Sequence, residues 1–371
     1  ENFIWKRPDD EWQAISLNYT SGTTGNPKGV VYHHRGGYLM ATGSVTAWNM
    51  PNRLNFLYTV PMFHCNGWCY PWTLAMLHAR VICIRNIRAK EIFELISKHK
   101  ITHFGGAPII LNMLANAPKE EQIKLNHKVY VLTAAAPPPS IIFKKMKELG
   151  FEVMHVYGLT ETYGHILQCA WNSEWDKLNE DEKADISSRQ GVRYPNTEDV
   201  KVMTPENMKV VPHDGKTIGE IMIRGNVVMK GYFKDKDATT KSMKDGWFHS
   251  GDLAVMHPNG YIQIKDRSKD IIISGGENIS SIEIENTISK HPSVSLSAVV
   301  AKPDEKWGES PCAFVELSPE KKATEEEIIK FCRETLAGFK IPKKIVFGDL
   351  PKTSTGKIKK YELRVKAKEL S

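Results

Sequence analysis

The chain has 371 residues, of which 41% are hydrophobic and 25% charged, and its formal net charge at pH 7 is +7. This length exceeds one ordinary core and predicts two domains. No apolar run approaches the roughly 20 residues of a membrane helix, so no membrane span is expected, and the lysine-rich tail is interpreted as a solvated face rather than a nucleic-acid surface.

The cysteines and the first residues bear on location and completeness. The six cysteines are scattered without the spacing of a zinc site, which favours reduced thiols in a cytoplasmic protein. No apolar segment typical of a signal peptide follows the first residue. That residue is Glu1 rather than methionine, so we expect a fragment of a longer chain.

The most informative stretch runs from Ser21 to Gly29, directly after a predicted strand, Ile15–Tyr19. Its glycines let the backbone approach a ligand, its hydroxyl side chains add donors, and Lys28 adds a positive charge. This composition predicts a loop that wraps a polyphosphate at the carboxyl end of a strand, where α/β sheets bind ligands. Pro27 before the lysine and Gly29 after it exclude the Walker pattern. The alternative is a flexible surface turn.

Short apolar runs then alternate with helical patterns from Tyr19 to about Pro195, which predicts parallel βαβ units. The predicted elements are a buried strand Val81–Ile84, a helix Ala89–Lys100, a strand Ile101–Phe104, a helix Ile109–Ala115, a strand Lys128–Thr133, a helix Pro139–Leu149 and a strand Glu152–His155.

The rhythm changes beyond Val200, where short strands separated by Asp-Gly and Asn-Gly turns predict an antiparallel, barrel-like subdomain. These strands are Glu220–Arg224, Trp247–His249 and Tyr261–Ile264. A small α+β unit is predicted after them, with strand Asp270–Ser274, helix Ser281–Lys290, strands Ser295–Ala301 and Cys312–Leu317, and helix Thr324–Ala337. The charged run Asp266–Lys269 suggests the boundary, so we expect a large domain over 1–265, a hinge over 266–269 and a small domain over 270–371.

Five further motifs carry polar chemistry. Tyr157–Thr162 combines an aromatic ring, hydroxyls and a carboxylate, a set that suits an adenine face, a phosphate oxygen and Mg²⁺. Gly251–Leu253 has a carboxylate suited to ribose hydroxyls, and Asp266–Asp270 contains Arg267. Ser274–Asn278 is a glycine loop, and Pro351–Lys357 has a lysine on a glycine turn. Each motif alone is weak, because an isolated Asp252 or Arg267 is more often part of a surface ion pair.

Together and in this order, the motifs resemble the ANL superfamily of adenylate-forming enzymes, over the whole chain. The resemblance implies an α/β fold with two domains. The large AMP-binding domain would contain a parallel βαβ sheet and a barrel-like β subdomain, and we expect its upstream part to be absent here. The C-terminal domain would be a small α+β unit. The segment Pro61–Trp68 is similar to the branch of medium-chain and aromatic acyl-CoA synthetases that includes 3-methylmercaptopropionate-CoA ligases.

The resemblance implies an ATP-dependent acyl-CoA synthetase that uses Mg²⁺ and CoA. A carboxylate attacks the α-phosphorus of ATP to give an acyl-adenylate and pyrophosphate, and the CoA thiol then forms the thioester and releases AMP. The expected partners are a small carboxylic acid, ATP and CoA, with a homodimer considered for the full-length form.

The resemblance also implies the residue roles. The catalytic residues are Lys357, Thr160, Glu161 and His64, with Glu161 on the metal. ATP and AMP contacts are expected from Thr20, Ser21, Gly22, Thr23, Thr24, Gly25, Lys28, Ala134, Ala135, Ala136, Pro137, Tyr157, Thr160, Asp252 and Arg267, and Lys269 is the hinge. Ala134 departs from the family pattern, which usually has glycine there.

Two further sets follow for the acyl group and for CoA. The acyl channel is assigned to His64, Trp68, Trp72, Phe104, Gly105, Gly106 and Tyr163, and CoA to Ser274, Gly275, Gly276 and Trp307. Bulky indoles shorten a pocket, so short-to-medium-chain, thioether or aromatic acids are favoured over long fatty acids. The same aromatic residues are also compatible with an ordinary core. Two alternatives remain open, namely an adenylation module that loads a carrier protein and an inactive fragment that binds nucleotide.

Overall fold

The computed structural model describes residues 4, 6–20, 27–134, 140–353 and 356–370. Two parts of the predicted ATP site therefore lie outside the described residues. They are Ser21, Gly22, Thr23, Thr24 and Gly25 of the polyphosphate loop, and Ala135, Ala136 and Pro137 of the adenine-side segment.

The first half of the chain builds a seven-stranded sheet covered by helices. Its elements are β1 (Ala14–Tyr19), β2 (Gly29–His33), α1 (His34–Ala47), β3 (Asn55–Tyr58), α2 (Cys65–Trp68), α3 (Tyr70–Met76), β4 (Arg80–Cys83), α4 (Ala89–His99), β5 (His103–Gly106), α5 (Pro108–Ala115), β6 (Val129–Thr133), α6 (Ser140–Glu148), β7 (Phe151–Leu159), β8 (Gly164–Gln168), α7 (Glu180–Ser187) and β9 (Val192–Arg193). The strand order is β4-β3-β5-β6-β7-β8-β9, parallel from β4 to β7 and antiparallel beyond. The strand–helix alternation thus gives parallel βαβ units, because each crossover helix returns the chain to the same edge.

The second part forms an antiparallel sheet. Its elements are β10 (Asp199–Thr204), β11 (Lys209–Val210), β12 (Gly219–Arg224), β13 (Gly231–Tyr232), α8 (Lys236–Ser242), β14 (Met243–Lys244), β15 (Trp247–Met256) and β16 (Ile262–Arg267). The order is β11-β10-β12-β15-β14, with β16 also on β15. The Asp245-Gly246 and Asn259-Gly260 turns join antiparallel neighbours, β14 to β15 and β15 to β16, as such pairs predict. The Asp214-Gly215 pair instead lies between β11 and β12, which are not neighbours in the sheet.

Two sequence predictions about strands are wrong. The strand predicted over Ile15–Tyr19 is β1, but it pairs antiparallel with β2, which pairs with β13, in a separate three-stranded sheet. β1 and β2 are thus consecutive antiparallel strands and not a strand and helix of a βαβ unit. The strand predicted as buried over Val81–Ile84 is β4, an edge strand in which Val81 is 43% exposed.

The last hundred residues form an α+β unit. Its elements are β17 (Ile272–Ser274), β18 (Glu277–Ile279), α9 (Ser281–Ile288), β19 (Val294–Asp304), β20 (Gly308–Leu317), α10 (Glu325–Arg333), β21 (Lys344–Phe347) and α11 (Lys360–Glu369). The sheet order is β18-β17-β20-β19, with β21 parallel to β20. Its core residues, such as Ile284, Val299 and Ile328, pack among themselves.

Ion pairs fix α11 to the start of this unit. Lys360 pairs with Glu285 of α9 at 2.7 Å and donates to the Ser281 hydroxyl, and Arg364 pairs with Asp270. The Glu285 carboxylate also accepts from the Val299 amide, and burial raises the pKa of Glu285. The helix that follows the predicted catalytic lysine is thereby held by charge as well as by apolar packing.

Replacing Lys360 by methionine should destabilise the protein by roughly 3 kcal/mol, because it leaves the Glu285 carboxylate largely buried without its cation. Urea unfolding measures this change. The double variant K360M/E285Q should recover most of the loss, since an amide oxygen can still accept from Val299. Equal stability of the single variant and the wild type would show that the pair contributes nothing.

Candidate functional site

The carboxylate of Asp252 is the centre of the site. It lies on β15 and is 3% exposed, and its two oxygens have different partners. The Arg267 guanidinium of β16 approaches one oxygen at 3.0 Å, and the Tyr157 hydroxyl of β7 donates to the other at 2.6 Å. The aspartate raises the pKa of Arg267, and burial followed by the aspartate's charge raises the pKa of Tyr157. The predicted ribose and adenine residues are therefore brought together.

The Thr160–Thr162 turn follows β7 and is held from three directions. The Tyr32 hydroxyl donates to the Thr160 carbonyl at 2.6 Å, and the Met229 amide donates to the Glu161 carbonyl at 2.7 Å. The Tyr232 hydroxyl donates to the Glu161 carboxylate at 2.8 Å. These bonds fix the backbone of the turn and the direction of the Glu161 side chain.

Lys357 reaches this place from the small unit. Burial, followed by the charge of Arg267, lowers the pKa of Lys357, while the charges of Asp252 and Glu161 raise it. The lysine stands on a tight turn in which its amide donates to the Thr353 hydroxyl. In the same turn Gly356 lies so near α5 that a Cβ on it would be 3.3 Å from the Ile109 side chain. The lysine and the carboxylates of Asp252 and Glu161, 105 and 196 residues away in sequence, thus share one site.

A left-handed turn presents His64. Every residue from Cys65 to Cys69 has a positive φ, with values of 47°, 44°, 61°, 59° and 61°, and only Gly67 adopts that region without cost. Burial, and then the charge of Lys357, lowers the pKa of His64 to about 4. The imidazole is therefore neutral at pH 7.

Contacts from β1 and β3 hold this turn. The Asn66 side-chain oxygen accepts from Asn18 at 2.7 Å and from Ser16 at 2.6 Å, and the Asn66 amide donates back to Asn18 at 3.1 Å. The Tyr58 hydroxyl donates to the Gly67 carbonyl at 3.1 Å. Backbone strain of this kind persists where surrounding contacts over-determine it.

The residues on β5 that were predicted to line the acyl channel lie on opposite faces of the strand, because successive side chains of a strand alternate between faces. Trp68 is buried against Gly105, where a Cβ would be 3.0 Å from the indole. Phe104 packs with Phe151 in the core on the other face, and Gly106 faces Ile110 and Leu111 of α5. Trp68 and Gly105 are therefore together, whereas Phe104 and Gly106 are on the opposite side of the strand.

Trp72 and Tyr163 lie outside this group. Trp72 stands on α3 and is 38% exposed. Tyr163 is fully buried, stacks on Tyr32 at 3.7 Å and donates to the His33 carbonyl at 2.5 Å. These contacts make Tyr163 a packing residue between β2 and the turn after Glu161.

The described ends of the polyphosphate loop are closed by Thr20 and Lys28. The Thr20 amide donates to the Lys28 carbonyl at 2.9 Å, and the Lys28 amide donates to the Thr20 hydroxyl at 3.0 Å. The Lys28 ammonium lies 4.9 Å from the centre of the Tyr232 ring. Ala134, which follows β6, is half-buried. The loop therefore begins and ends on the same side of the molecule as Glu161.

The CoA set lies together on the small unit. Ser274 pairs with Gly308, and the Gly275 amide donates to the Trp307 carbonyl at 2.8 Å. Gly275 has φ +59°, and a Cβ there would be 2.8 Å from the Trp307 ring, so glycine suits this position. Trp307 is 45% exposed, and Lys306 lies over its ring. The turn Ser274–Glu277, with Gly276, thus lies against the Trp307 indole, which also carries the Lys306 ammonium over its ring.

Glu161 is the residue best suited to hold a magnesium ion. Among the described residues no group of three or more His, Cys, Asp or Glu could hold a metal by itself. Mg²⁺ is commonly bound by one or two carboxylates together with substrate phosphates. Tyr232 occupies one oxygen of Glu161. The donor set thus fits an ion that arrives on a polyphosphate.

Sequence reasoning missed several residues that build the site. Tyr32, Tyr232 and Asn18 lie in segments to which no motif was assigned, and Asn66 lies within Pro61–Trp68 but was given no role. Their roles depend on long-range contacts. A Gly-Tyr pair or a lone asparagine in a strand gives no signal by itself. Lys269, the predicted hinge, is exposed and follows β16 in a turn. In this turn the Asp270 amide donates a hydrogen bond to the Arg267 carbonyl.

Comparison with known proteins agrees with this arrangement. The model for AMP-binding enzymes matches residues 3–233, and that for the AMP-binding enzyme C-terminal domain matches residues 283–357. The chain therefore belongs to the AMP-binding enzyme family.

Curated plant relatives cover nearly all of the chain. A peroxisomal acetate/butyrate–CoA ligase of Arabidopsis thaliana is 55% identical over 376 residues, covering 100% of this chain and 66% of the relative. An acetate–CoA ligase of Humulus lupulus is 56% identical, covering 99% and 66%. A 2-methylpropanoate–CoA ligase of Humulus lupulus is 50% identical, covering 98% and 66%. The chain thus spans just under two thirds of each of these relatives, all of which are named as CoA ligases, in agreement with the expected resemblance to acyl-CoA synthetases.

Solved structures share the fold. ATP-bound MatB from Rhodopseudomonas palustris superposes with a TM-score of 0.86 at 27% identity, covering 97% of this chain and 69% of that chain. The o-succinylbenzoate CoA synthetase of Bacillus subtilis, in complex with its acyl-adenylate intermediate, gives 0.83 at 29% identity, covering 96% and 70%. These matches confirm the expected adenylate-forming fold. No helix in the described part of the chain is long and apolar enough to span a membrane.

The neutral His64 predicts a pH dependence of stability. Its folded pKa of about 4 lies below the unfolded value of about 6.5, so between these values only the unfolded state binds the proton. The free energy of unfolding should therefore fall as the pH is lowered from 6.5 to 4, by at most about 1.4 kcal/mol per pH unit for this group.

Urea unfolding of the wild type and of H64N at pH 7, 6, 5 and 4.5 measures this effect. The asparagine variant should lose less stability across the window, because it has no imidazole to protonate. The exposed His213, replaced in the same way, serves as the control. A slope for H64N as steep as that of the wild type would contradict the assignment.

Proposed function

We propose that this protein is an ATP-dependent acyl-CoA synthetase acting on a short-to-medium-chain carboxylic acid. The proposal is supported by the family, by relatives named as CoA ligases, and above all by one observation. Lys357 of the small unit lies in the electrostatic surroundings of His64, Arg267, Asp252 and Glu161 of the large one. A lysine that lies among these residues is suited to bridge the carboxylate of the acid and the α-phosphate of ATP, two anions that must react.

The first half-reaction brings a carboxylate and a triphosphate together, and both are negatively charged. The carboxylate oxygen attacks the α-phosphorus, and pyrophosphate leaves. The Lys357 ammonium is placed to neutralise the approaching carboxylate and the α-phosphate oxygens, and its burial strengthens such an interaction. Asp252 and Arg267 would hold the ribose, and Tyr157 the adenine side. Thr160 would donate to the α-phosphate, with Thr20 and Lys28 at the outer phosphates.

Magnesium has a limited part in this proposal. When bound, Mg²⁺ supplies positive charge that offsets the phosphate oxygens. Glu161 would hold the ion on the oxygen that Tyr232 leaves free. The protein contributes the direction of that carboxylate through the bonds at the Glu161 carbonyl and side chain.

The second half-reaction requires a different surface next to the adenylate. The CoA thiol loses its proton and attacks the acyl carbon, the bond between that carbon and the phosphate oxygen breaks, and AMP leaves with this oxygen. We assign CoA recognition to Ser274, Gly275, Gly276 and Trp307, whose exposed indole suits an adenine ring. Lys357 would have to move away to admit the thiol, and rotation about Lys269 is the proposed motion.

The acid is proposed to be short and aliphatic. Relatives at 50–56% identity are named for acetate, butyrate and 2-methylpropanoate, while another, at 50%, is named for trans-cinnamate. Trp68 lies against Gly105, so the indole takes up the space that a longer chain would need on that face. We therefore rank acids of about two to five carbons ahead of aromatic and thioether acids, and all of these ahead of long fatty acids.

Four further expectations stay proposals. Loading of a carrier protein and nucleotide binding without turnover are the competing functions, and thioester formation with free CoA tests both. A cytoplasmic location is not supported by the relatives, two of which are named as peroxisomal. A homodimer remains an expectation for the full-length form.

Replacing Lys357 by alanine should reduce adenylate formation by about 10²–10³-fold, because the variant lacks the charge that offsets the reacting anions. ATP–pyrophosphate exchange with acetate or butyrate measures the first step. Thioester formation from supplied butyryl-adenylate and CoA measures the second and should be largely spared.

The matched control is K359A, two residues along, where the lysine pairs with Glu362 instead. It should retain exchange activity. Equal losses of K357A in both steps would show that Lys357 is structural. A wild type that shows no exchange with any acid would contradict the synthetase function itself.

A panel of unbranched acids from two to sixteen carbons should give graded activity that is highest for short chains. Each methylene changes discrimination by only about 1–3 kcal/mol, so neighbouring acids should differ modestly. The variant W68A should shift the preference to longer acids if the indole sets the depth, with W72A as the comparison on the exposed helix. Efficient use of palmitate by the wild type would overturn the assignment.

A further inference from the structure

Tyr232 connects two groups that the proposed reaction requires. It lies on β13, where it pairs with Val30 of β2, the strand that follows Lys28 directly. Its hydroxyl donates to the Glu161 carboxylate at 2.8 Å, and the Lys28 ammonium lies 4.9 Å from its ring centre. One half-buried side chain thus contacts the predicted metal carboxylate at its tip and the predicted phosphate lysine on its face.

The backbone around Tyr232 is fixed. Its amide donates to the Thr239 hydroxyl at 2.9 Å, and Phe233 donates to the Gly29 carbonyl at 2.7 Å. Three residues before it, Met229 donates to the Glu161 carbonyl at 2.7 Å. The same short segment therefore holds both the backbone and the side chain of Glu161.

The hydroxyl of Tyr232 acts as a donor and not as a proton acceptor. An ionised carboxylate oxygen can only accept, so the phenol, 2.8 Å from Glu161, supplies the hydrogen of this bond. Such a bond leaves the other carboxylate oxygen free and limits the rotation of a side chain that otherwise has several rotamers.

We propose that Tyr232 is a positioning residue that sets the Glu161 carboxylate and the Lys28 ammonium at the spacing required by a magnesium–triphosphate. This inference rests on the proposed function, since it takes Glu161 as the metal carboxylate and Lys28 as a phosphate contact. The hydroxyl orients the carboxylate, and the ring face carries the ammonium. Neither part of Tyr232 touches the reacting atoms.

Two substitutions separate these parts. Y232F removes the hydroxyl and keeps the ring, whereas Y232L removes both. Binding of a non-hydrolysable ATP analogue, with a methylene group between the α- and β-phosphorus atoms, is measured by calorimetry with Mg²⁺ and with EDTA. Y232F should weaken binding about 5- to 20-fold with Mg²⁺ and much less with EDTA, and Y232L should weaken both.

A thermodynamic cycle with E161Q tests the route of the effect. If Tyr232 acts through the carboxylate, adding Y232F to E161Q should cause little further loss of Mg²⁺-dependent binding. In exchange assays Y232F should require more Mg²⁺ for half-maximal rate, with the KM for the acid unchanged. Y261F, which removes a hydroxyl that donates to the Ala170 carbonyl away from the site, is the control for stability and binding.

The outcomes are distinct. A Y232F variant that binds the magnesium analogue like the wild type, or that loses as much affinity in the E161Q background as alone, overturns the inference. If the wild type binds the analogue with Mg²⁺ but never exchanges pyrophosphate, the synthetase function fails while the role of Tyr232 is still decided by binding. A wild type that does not bind the analogue contradicts both.

Discussion

The carboxylate of Asp252 is the interaction on which the rest of the site depends. Placing a carboxylate in an interior is costly unless its oxygens are bonded to donors or cations. Asp252 meets this condition with Tyr157 from the parallel sheet and Arg267 from the last strand of the antiparallel sheet. The two sheets are thereby fixed to each other at the point where the chain passes into the small unit. The charge of Arg267 then acts on Lys357, which arrives from that unit.

The small unit is tied to the same place by its own charges. Asp266, next to Arg267, accepts from the Ser281 amide at the start of α9, and Lys360 of α11 bonds the Ser281 hydroxyl. Lys269, the predicted hinge, is exposed. A rotation about it would leave the Asp252–Arg267 pair intact, but it would have to break the bond between the Ser281 amide and Asp266.

Sequence patterns predicted the βαβ region and most helices because apolar periodicity and crossover helices are local properties. They failed to predict the partner of β1, because a glycine-rich segment after a strand is equally compatible with a following helix and with a following antiparallel strand. They also failed to divide Phe104 and Gly105 between opposite faces, since a run of small and buried residues gives no alternation to follow. The motif residues Asp252, Arg267 and Lys357 were found because their motifs, taken together and in order, resemble a known family, whereas the role of Tyr232 depends on contacts between distant segments.

The left-handed turn has a consequence for how this protein changes over evolution. Non-glycine residues in this conformation each cost roughly 1–2 kcal/mol, a large part of the net stability of a folded domain. The cost is met by partners on other strands, chiefly Asn18 and Tyr58. A substitution at Asn66 therefore changes how much Asn18 contributes to stability, and we expect single replacements at either position to be poorly tolerated. Lineages that alter the acyl end of the site would be expected to exchange these positions in pairs, so that substrate preference drifts in discrete steps.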